Sequence, residues 1–159
     1  MRSGTERLRP GDPRLGAVLD LIRDAFGFME GRIDPPSSMH RLSRADIDRQ
    51  AGEGEVWISP DAAAAPLACV FLTPRPPALH IGKLAVARSA RRQGHGTALI
   101  DLAAQRAKGQ GLDFLELQTR IELVENHATF RAMGFDDIDR SAHPGYDRPT
   151  SITFRKPVR

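Results

Sequence analysis

The sequence predicts an α+β fold with a mixed, mostly antiparallel sheet of six to seven strands and four helices. Seven short apolar or alternating segments have the length and composition of strands, and several follow one another with only a loop between them. Four segments with helical periodicity or capping signals are inserted between these strands. The chain has 159 residues, 40% of them hydrophobic. This length suits one core, so we expect one domain over residues 1–159.

The predicted elements begin with a strand over 5–9 and a helix behind it. Asp12-Pro13 supplies an N-cap followed by proline at the first helical position. Apolar residues at spacings of three and four then predict a helix over 13–29. The adjacent prolines of "DPPSS" stop it, because proline cannot continue a helix. Ser43 is the expected cap of a short second helix over 44–51.

Six further strands and two further helices complete the prediction. The third helix, over 96–108, is stopped by Gly109 and Gly111, and the fourth, over 125–133, by Gly134. The last two strands are expected to pair with each other. The six strand segments are 55–59, 67–73, 78–86, 113–119, 135–143 and 150–156.

Composition argues against several functional classes. There is no run of about 18 apolar residues to span a membrane, and the first residues lack a signal peptide's apolar segment, so we expect a cytoplasmic protein. The single cysteine, Cys69, excludes an internal disulfide and is expected to be buried. No His, Cys and Asp cluster at ligand spacing indicates a metal. The net charge of +3 suits an anionic ligand, but the chain lacks the aromatic-basic pattern of nucleic-acid binders.

Residues 91–96, "RRQGHG", lie between a predicted strand and a predicted helix. The first four N–H groups of a helix have no partner within it and carry partial positive charge, and glycine lets a ligand approach them. The stretch therefore predicts a phosphate or pyrophosphate site. A Walker A loop does not fit, because Gly96 is followed by Thr97-Ala98. A dinucleotide fingerprint does not fit either, because Leu99 stands where a third small residue is needed.

The same stretch resembles the acyl-CoA signature of the GNAT superfamily of N-acetyltransferases, Arg/Gln-x-x-Gly-x-Gly/Ala, five residues after a strand-ending valine. Here Val86 ends the strand, Arg91 opens the motif, and Gly94 and Gly96 complete it. The segment 125–135, "ENHATFRAMGF", resembles the family's later helix, with an asparagine near its start, an aromatic residue and a closing Gly-Phe. The resemblance covers roughly residues 5–156. It implies a GNAT-like fold in which splayed central strands hold CoA.

The resemblance also implies a reaction, in which an amine attacks the thioester of the co-substrate acetyl-CoA without a covalent enzyme intermediate. The pantetheine arm is expected to pair with the backbone of Leu84 and Val86. The N–H of Val86 is the expected donor to the thioester oxygen in the transition state. The side chains of His95 and His127 are expected to face solvent or CoA. The other implied CoA-binding residues are Arg91, Arg92, Gln93, Gly94, Gly96, Thr97, Asn126 and Phe130.

The implied reaction includes two proton transfers, one from the attacking amine and one to the leaving thiolate, and each needs a candidate residue. The amine must lose a proton, and Glu116, directly or through water, is the first candidate for the base, with His80 second. An exposed strand carboxylate and a structural histidine are the alternatives. Four residues before Gly134 the family often has a tyrosine that protonates the leaving thiolate, but this chain has Phe130. Tyr146, the only tyrosine, is the remaining candidate for the acid or a pocket residue; otherwise the thiolate leaves unassisted.

In this superfamily the loop after the first helix commonly borders the acceptor site. Here that loop offers mixed polar contacts that suit a small, polar, amino-acid-like primary amine; a solvated loop is the alternative. A protein N-acetyltransferase and a non-catalytic CoA-binding or regulatory domain remain open as functions. We expect no metal, nucleic acid or membrane as partner, and edge strands near the C-terminus allow a homodimer. The candidate acceptor-binding residues are Glu30, Arg32, Asp34, Ser37 and Ser38.

Overall fold

The computed structural model describes residues 4–27 and 31–158, apart from the side chains at positions 38 and 39. Two 3₁₀ turns, at Ser38–Arg41 and Arg88–Ala90, precede the second and third helices. The helices are α1 (Leu15–Phe26), α2 (Arg44–Glu53), α3 (His95–Gly109) and α4 (Val124–Ala132). The strands are β1 (Glu6–Leu8), β2 (Glu55–Pro60), β3 (Pro66–Arg75), β4 (Ala78–Val86), β5 (Phe114–Arg120), β6 (Asp136–Ser141) and β7 (Ser151–Pro157).

The seven strands form one sheet in the order β1-β2-β3-β4-β5-β7-β6. Every neighbouring pair is antiparallel except β4 and β5, which run parallel. The predicted α+β class with a mixed, mostly antiparallel sheet is therefore confirmed, and the last two strands pair as expected. None of the described helices is long and apolar enough to cross a membrane.

The parallel strands β4 and β5 separate part-way along their length. Their register runs from Ala78 opposite Phe114 to Ile81 opposite Leu117 and stops there. Beyond that point β4 continues beside β3, and β5 continues beside β7 to Arg120. A gap therefore opens in the middle of the sheet, and the unpaired backbone along it is free to bind a ligand.

A bulge in β4 accompanies this separation. Cys69 of β3 faces Ala85, but Phe71 faces Gly82, so β4 has one more residue than β3 in this segment. Lys83, inside the bulge, has a φ of 49°, in the left-handed region that non-glycine residues rarely adopt. The extra residue turns the second half of β4 relative to the first half.

Helices cover both faces of the sheet. The core beneath α3 and α4 contains Leu79 and Ile81 of β4 and Leu117 of β5, while α1 and α2 pack on the other face against residues such as Phe71. Successive side chains of a strand point to opposite faces. The polar positions between these apolar ones, His80 and Glu116 among them, therefore lie on the face of α1 and α2.

The helix caps were predicted with mixed success. Ser43 caps α2 as expected: its Oγ accepts from the Asp46 N–H at 3.2 Å, and the Asp46 carboxylate accepts from the Ser43 N–H at 2.9 Å. Asp12 as the N-cap of α1 was wrong, because the cap position is Arg14. The Asp12 carboxylate accepts from the Arg14 N–H at 2.8 Å, and the Arg14 guanidinium also binds Glu6, so these side chains stabilise a turn before the helix.

Candidate active site

The N-terminus of α3 forms one end of the site. Gly94 is the cap residue with a φ of 85°, and no described side chain caps the helix. The first N–H with a helical partner is that of Ala98, which donates to the Gly94 oxygen at 2.9 Å. The preceding N–H groups of the first turn point out of the helix. A Cβ on Gly94 would meet no atom within 4 Å, so the space beside this turn is open.

Side chains around this turn leave the backbone accessible. The His95 imidazole turns to β2, with its Nδ1 at 2.7 Å from Ser59 Oγ. Gln93 Nε2 donates to the Ser89 oxygen at 3.3 Å. Arg91, Arg92 and Thr97 are exposed. The open N–H groups, the exposed cations and the absence of a cap fit the pyrophosphate of CoA, which needs several donors and positive charge.

The backbone of Val86 faces the gap between β4 and β5. The Ala87 N–H donates to the Leu67 oxygen of β3 at 2.8 Å. Backbone groups of successive residues in an antiparallel strand point to alternate sides. The N–H of Val86 therefore points away from β3, toward the side on which β5 has separated. Leu84, two residues earlier, lies in the bulged segment and lines the same gap.

A cleft of about 800 Å³ continues from this gap across the sheet. Its walls come from β3, β4 and β5, the loop between α1 and α2, the start of α4 and the loop before β7. Neither Glu116 nor any residue of the 91–97 stretch lines it, whereas His80 does. The other predicted site residues that line it are Ser37, Leu84, Asn126, Phe130 and Tyr146.

The two candidate bases are neighbours on adjacent strands, with different surroundings. His80 of β4 lies opposite Glu116 of β5. The Glu116 Oε2 accepts from Arg155 Nη2 at 2.7 Å and from Arg155 Nε at 3.3 Å, so this carboxylate is ion-paired. Burial, and next the charge of Arg75, lower the pKa of His80 to about 4, with Glu116 opposing them only in part. His80 is therefore a neutral imidazole at neutral pH.

Asp34 fastens the loop after α1 to the loop before β7. Its Oδ1 accepts from the Tyr146 hydroxyl at 2.5 Å, and its Oδ2 accepts from Arg148 Nη2 at 3.0 Å. The Asp34 N–H donates to Glu122 Oε2 at 3.2 Å. The hydrogen bond to Asp34 is the main cause that raises the pKa of Tyr146 above its ordinary value.

Two arginines fasten the same loop to the end of β5 and the start of α4. Arg32 makes a paired contact with Glu125, at 2.8 and 3.0 Å. The guanidinium of Arg120 donates to the backbone oxygens of Pro35 and Pro36. The loop is therefore held over the cleft by contacts to three other segments of the chain.

The family assignment follows from comparison with known proteins. A family model described as the acetyltransferase (GNAT) family matches residues 16–135, well over half of the chain. The chain belongs to the GNAT family of acetyltransferases. Acetyl-CoA-dependent acetyl transfer is the activity of that family. A comparison with curated protein sequences found no match.

Solved acetyltransferase structures share the fold. One of the GNAT family from Staphylococcus aureus aligns with a TM-score of 0.74 at 14% identity, over 98% of this chain and 100% of that one. The ribosomal-protein-S18-alanine N-acetyltransferase of Escherichia coli aligns with 0.72 at 19%, over 99% and 94%. A GNAT family acetyltransferase from Elizabethkingia anophelis with acetyl-CoA bound aligns with 0.68 at 19%, over 96% of each chain. At these identities the likeness establishes the fold alone.

Within this GNAT fold the predicted acceptor residues have different environments. Ser37 lines the cleft, but the side chains of Arg32 and Asp34 bind other protein groups. Ser38 lies in the 3₁₀ turn before α2, and its side chain is outside the described part. Glu30 lies outside the described residues. Among the described residues, no group of three His, Cys, Asp or Glu could hold a metal ion.

The structure of α4 corrects one expectation, the orientation of the His127 side chain. Phe130 lines the cleft and packs against Phe135 and Phe154, with ring centroids 5.9 and 6.2 Å apart. The expectation that His127 faces solvent or CoA was wrong, because its side chain is 5% exposed. Its Nε2 lies 2.9 Å from the Arg120 oxygen, and its ring packs on Phe154. The face of α4 that carries His127 packs against the sheet, so this side chain has a structural role.

Sequence reasoning missed the four cationic residues that line the cleft, Arg41, Arg75, Lys83 and Arg120. Arg120 carried a usable signal: in "DFLELQTR" it has the same parity as Glu116 and Gln118, so the three share a sheet face. The strand was predicted to end at residue 119, one position too early. Lys83 carried no such signal, because its orientation depends on the bulge in β4.

Proposed function

We propose that the chain moves the acetyl group of acetyl-CoA to the primary amine of a small, polar, amino-acid-like acceptor by direct attack. The observation that carries this proposal is the gap between β4 and β5, which opens into a cleft of about 800 Å³. A cleft of this volume suits a small molecule. The bound co-substrate supplies an activated acetyl thioester at the gap, and the acceptor enters from the side of α1 and α2.

Four groups of the chain would hold acetyl-CoA. The open N–H groups of residues 92–97, with the cations of Arg91 and Arg92, would bind the pyrophosphate. The backbone of Leu84 would pair with the pantetheine arm, and Asn126 and Phe130 of α4 lie on the facing wall of the cleft. The N–H of Val86, directed toward the gap, is the proposed donor to the thioester oxygen. One such donor contributes about 3 kcal/mol to transition-state stabilisation.

We assign removal of the amine proton to His80 in preference to Glu116. The imidazole lines the cleft, and it is neutral at neutral pH, so its lone pair is available. His80 lies six residues before Val86 on β4, roughly 20 Å at about 3.3 Å per residue, so the amine proton would reach the imidazole through a chain of water molecules. Its Nδ1 is buried and has no hydrogen-bond partner among the described residues. Glu116 is occupied by Arg155 and does not line the cleft, so its contribution is to favour the protonated form of the neighbouring imidazole.

Neither Phe130 nor Tyr146 is available as a general acid for the leaving thiolate. Phe130 has no hydroxyl, and the Tyr146 hydroxyl already donates to Asp34. The hydrogen bond raises the pKa of Tyr146, which makes its proton harder to give up. We therefore assign Tyr146 to the wall of the acceptor pocket. A free thiol has a pKa near 8.5, so its thiolate leaves without assistance.

Direct attack is also supported by the state of Cys69. It is the only cysteine of the chain, it is fully buried, and burial raises the pKa of its thiol to about 12. A thiol that stays protonated and out of contact with the cleft is a poor nucleophile. The chain thus offers no cysteine for a covalent acetyl-enzyme.

The test is an acceptor screen with acetyl-CoA. The protein is incubated with acetyl-CoA and a panel of small amines, amino acids and peptides, and both CoA release and acetylated products are measured by mass spectrometry. We expect acetylation of small polar amines. Acetylation of peptide or protein amino groups alone would establish a protein N-acetyltransferase instead. Binding of acetyl-CoA without transfer to any acceptor would establish a non-catalytic CoA-binding domain.

A further inference from the structure

Strand β2 presents one row of side chains to α3. Its alternate residues Glu55, Trp57 and Ser59 lie on the face of the sheet that α3 and α4 cover, because Val56 and Ile58 between them belong to the core on the other face. Trp57 packs against the core beneath α3. The strand lies inside the sheet, between β1 and β3, so this row is firmly supported. Glu55 and Ser59, both buried, are the polar residues at its two ends.

These two polar residues contact opposite ends of α3. The Glu55 carboxylate accepts from Arg106 Nε at 2.9 Å and from Arg106 Nη2 at 2.8 Å, close to the C-terminal end of the helix. Ser59 Oγ lies 2.7 Å from Nδ1 of His95, the first residue of the helix. The first contact fixes the far end of α3. The second reaches the turn that is proposed to bind the pyrophosphate of CoA.

The first turn of α3 has few other contacts that could fix it. Gly94 and Gly96 flank His95, and glycine restricts the backbone less than any other residue. The next two residues are exposed, and the first buried apolar side chain of the helix is Leu99, in its second turn. Among the described contacts, the one with Ser59 is the only hydrogen bond from a side chain of this turn to the sheet. The orientation of the turn therefore depends on His95.

We propose that His95 is a positioning residue, whose hydrogen bond with Ser59 fixes the N–H groups that bind the pyrophosphate of CoA. The inference rests on the pyrophosphate site proposed above, and it makes that site depend on β2, none of whose residues lines the cleft. Several donors must converge on one anion, and such a set must be held within about 0.5 Å of the productive geometry. A turn released from the sheet would direct its N–H groups less accurately.

Burial makes the contact with Ser59 effective. The side chain of Ser59 is 4% exposed, so water does not compete freely for its hydroxyl. A buried hydroxyl that loses its partner is left unsatisfied, which carries a larger cost than loss of an exposed hydrogen bond. The imidazole therefore stays on β2, and its effect on CoA is exerted through the backbone of the turn.

The test compares binding of CoA with binding of pantetheine, which has the same thiol arm and no phosphate, by calorimetry. Ser59→Ala removes the hydroxyl without altering the phosphate-binding turn, and His95→Ala removes the imidazole. Loss of one hydrogen bond predicts roughly fivefold or weaker CoA binding in both variants. Pantetheine binding should stay within about twofold of the wild-type value. His95→Asn should restore most of the CoA affinity, because its amide places a hydrogen-bonding atom close to the position of Nδ1.

Arg106→Gln is the control for a merely structural effect. It breaks the contact of Glu55 with the other end of α3 and leaves the first turn on β2. We expect it to lower the melting temperature at least as much as Ser59→Ala does, while the ratio of CoA affinity to pantetheine affinity stays within about twofold of the wild-type value. An equal fall of this ratio in Arg106→Gln would overturn the inference.

The remaining outcomes separate the inference from the pyrophosphate site. If the wild-type protein prefers CoA and this preference is unchanged in Ser59→Ala and His95→Ala, the inference fails and the site stands. A loss in His95→Ala without a loss in Ser59→Ala would mean that the imidazole contacts CoA itself, and would also overturn the inference. A wild-type protein that binds CoA no more tightly than pantetheine would refute the site and the inference together.

Discussion

The Tyr146 hydroxyl donates a hydrogen bond to Asp34 Oδ1 at 2.5 Å. This contact joins the loop after α1 to the loop before β7, two segments far apart in sequence that both border the cleft. It directs the hydroxyl toward the loop after α1. The contact gives the chain's single tyrosine a structural role, and we propose that it has none in departure of the thiolate.

Tyr146→Phe therefore tests whether this tyrosine lines the acceptor pocket or acts as the general acid for the leaving thiolate. Loss of one hydrogen bond costs about 1 kcal/mol, so we expect KM for the amine to rise roughly two- to tenfold. We expect kcat to stay within about threefold of the wild-type value. Arg148→Gln removes the other side-chain contact to Asp34 and should shift KM in the same direction. A fall in kcat of a hundredfold in Tyr146→Phe, with KM unchanged, would identify the tyrosine as the acid.

The α3 turn can be tested with a matched pair of glycines. Gly94 and Gly111 both have positive φ, 85° and 72°, and a Cβ on either would meet no atom within 4 Å. Gly94→Asp and Gly111→Asp thus introduce similar backbone strain and the same charge. Only the first places a carboxylate in the proposed phosphate site, so calorimetry should show loss of CoA binding in Gly94→Asp alone. Equal affinities in the two folded variants would place the phosphates elsewhere.

The assignment of the base predicts a difference between two adjacent side chains. His80→Gln should lower kcat by roughly a hundredfold or more at neutral pH, because general bases contribute about 10² to 10⁴. Glu116→Gln should lower it less, since its carboxylate acts through the imidazole. Both variants are compared over a pH series with the same acceptor. A larger loss in Glu116→Gln would reverse the assignment.

The low pKa of His80 also predicts how stability depends on pH. The ordinary value of 6.5 is lowered to about 4 in the folded protein, so the unfolded chain binds the additional proton between these values. The stability contributed by the neutral imidazole is present above about pH 6.5 and is lost as pH falls toward 4. Melting temperatures measured across this range should fall less steeply in His80→Gln. Parallel curves for variant and wild type would show that His80 does not titrate in this way.

The sequence predicted those parts of the fold that depend on local chemistry. The strand over 78–86 has the bounds of β4, and Ser43 forms its capping box because both partners lie within one turn. The glycine-containing turn that begins α3 could also be predicted, since the glycines and the helix start are adjacent in the sequence. Asp12 failed as a cap because Arg14, which also binds Glu6, engages its carboxylate.

The remaining features depend on contacts between distant segments. The partner of Glu116 is Arg155, which only the register between β5 and β7 brings alongside. The burial of His127 depends on which face α4 packs against Phe154. The contact between Asp34 and Tyr146 depends on how two loops meet. No local pattern contains this information.

The most direct test of the account is a single-turnover experiment with acetyl-CoA labelled in its acetyl group. Excess protein is mixed with the labelled compound and the preferred amine, quenched at intervals, and analysed by intact-protein and product mass spectrometry. We predict that the label passes to the amine nitrogen while the protein mass stays unchanged, because the buried Cys69 carries no acetyl group. A labelled protein that forms and decays as fast as product appears, or release of the label only as acetate, would contradict direct transfer to an amine.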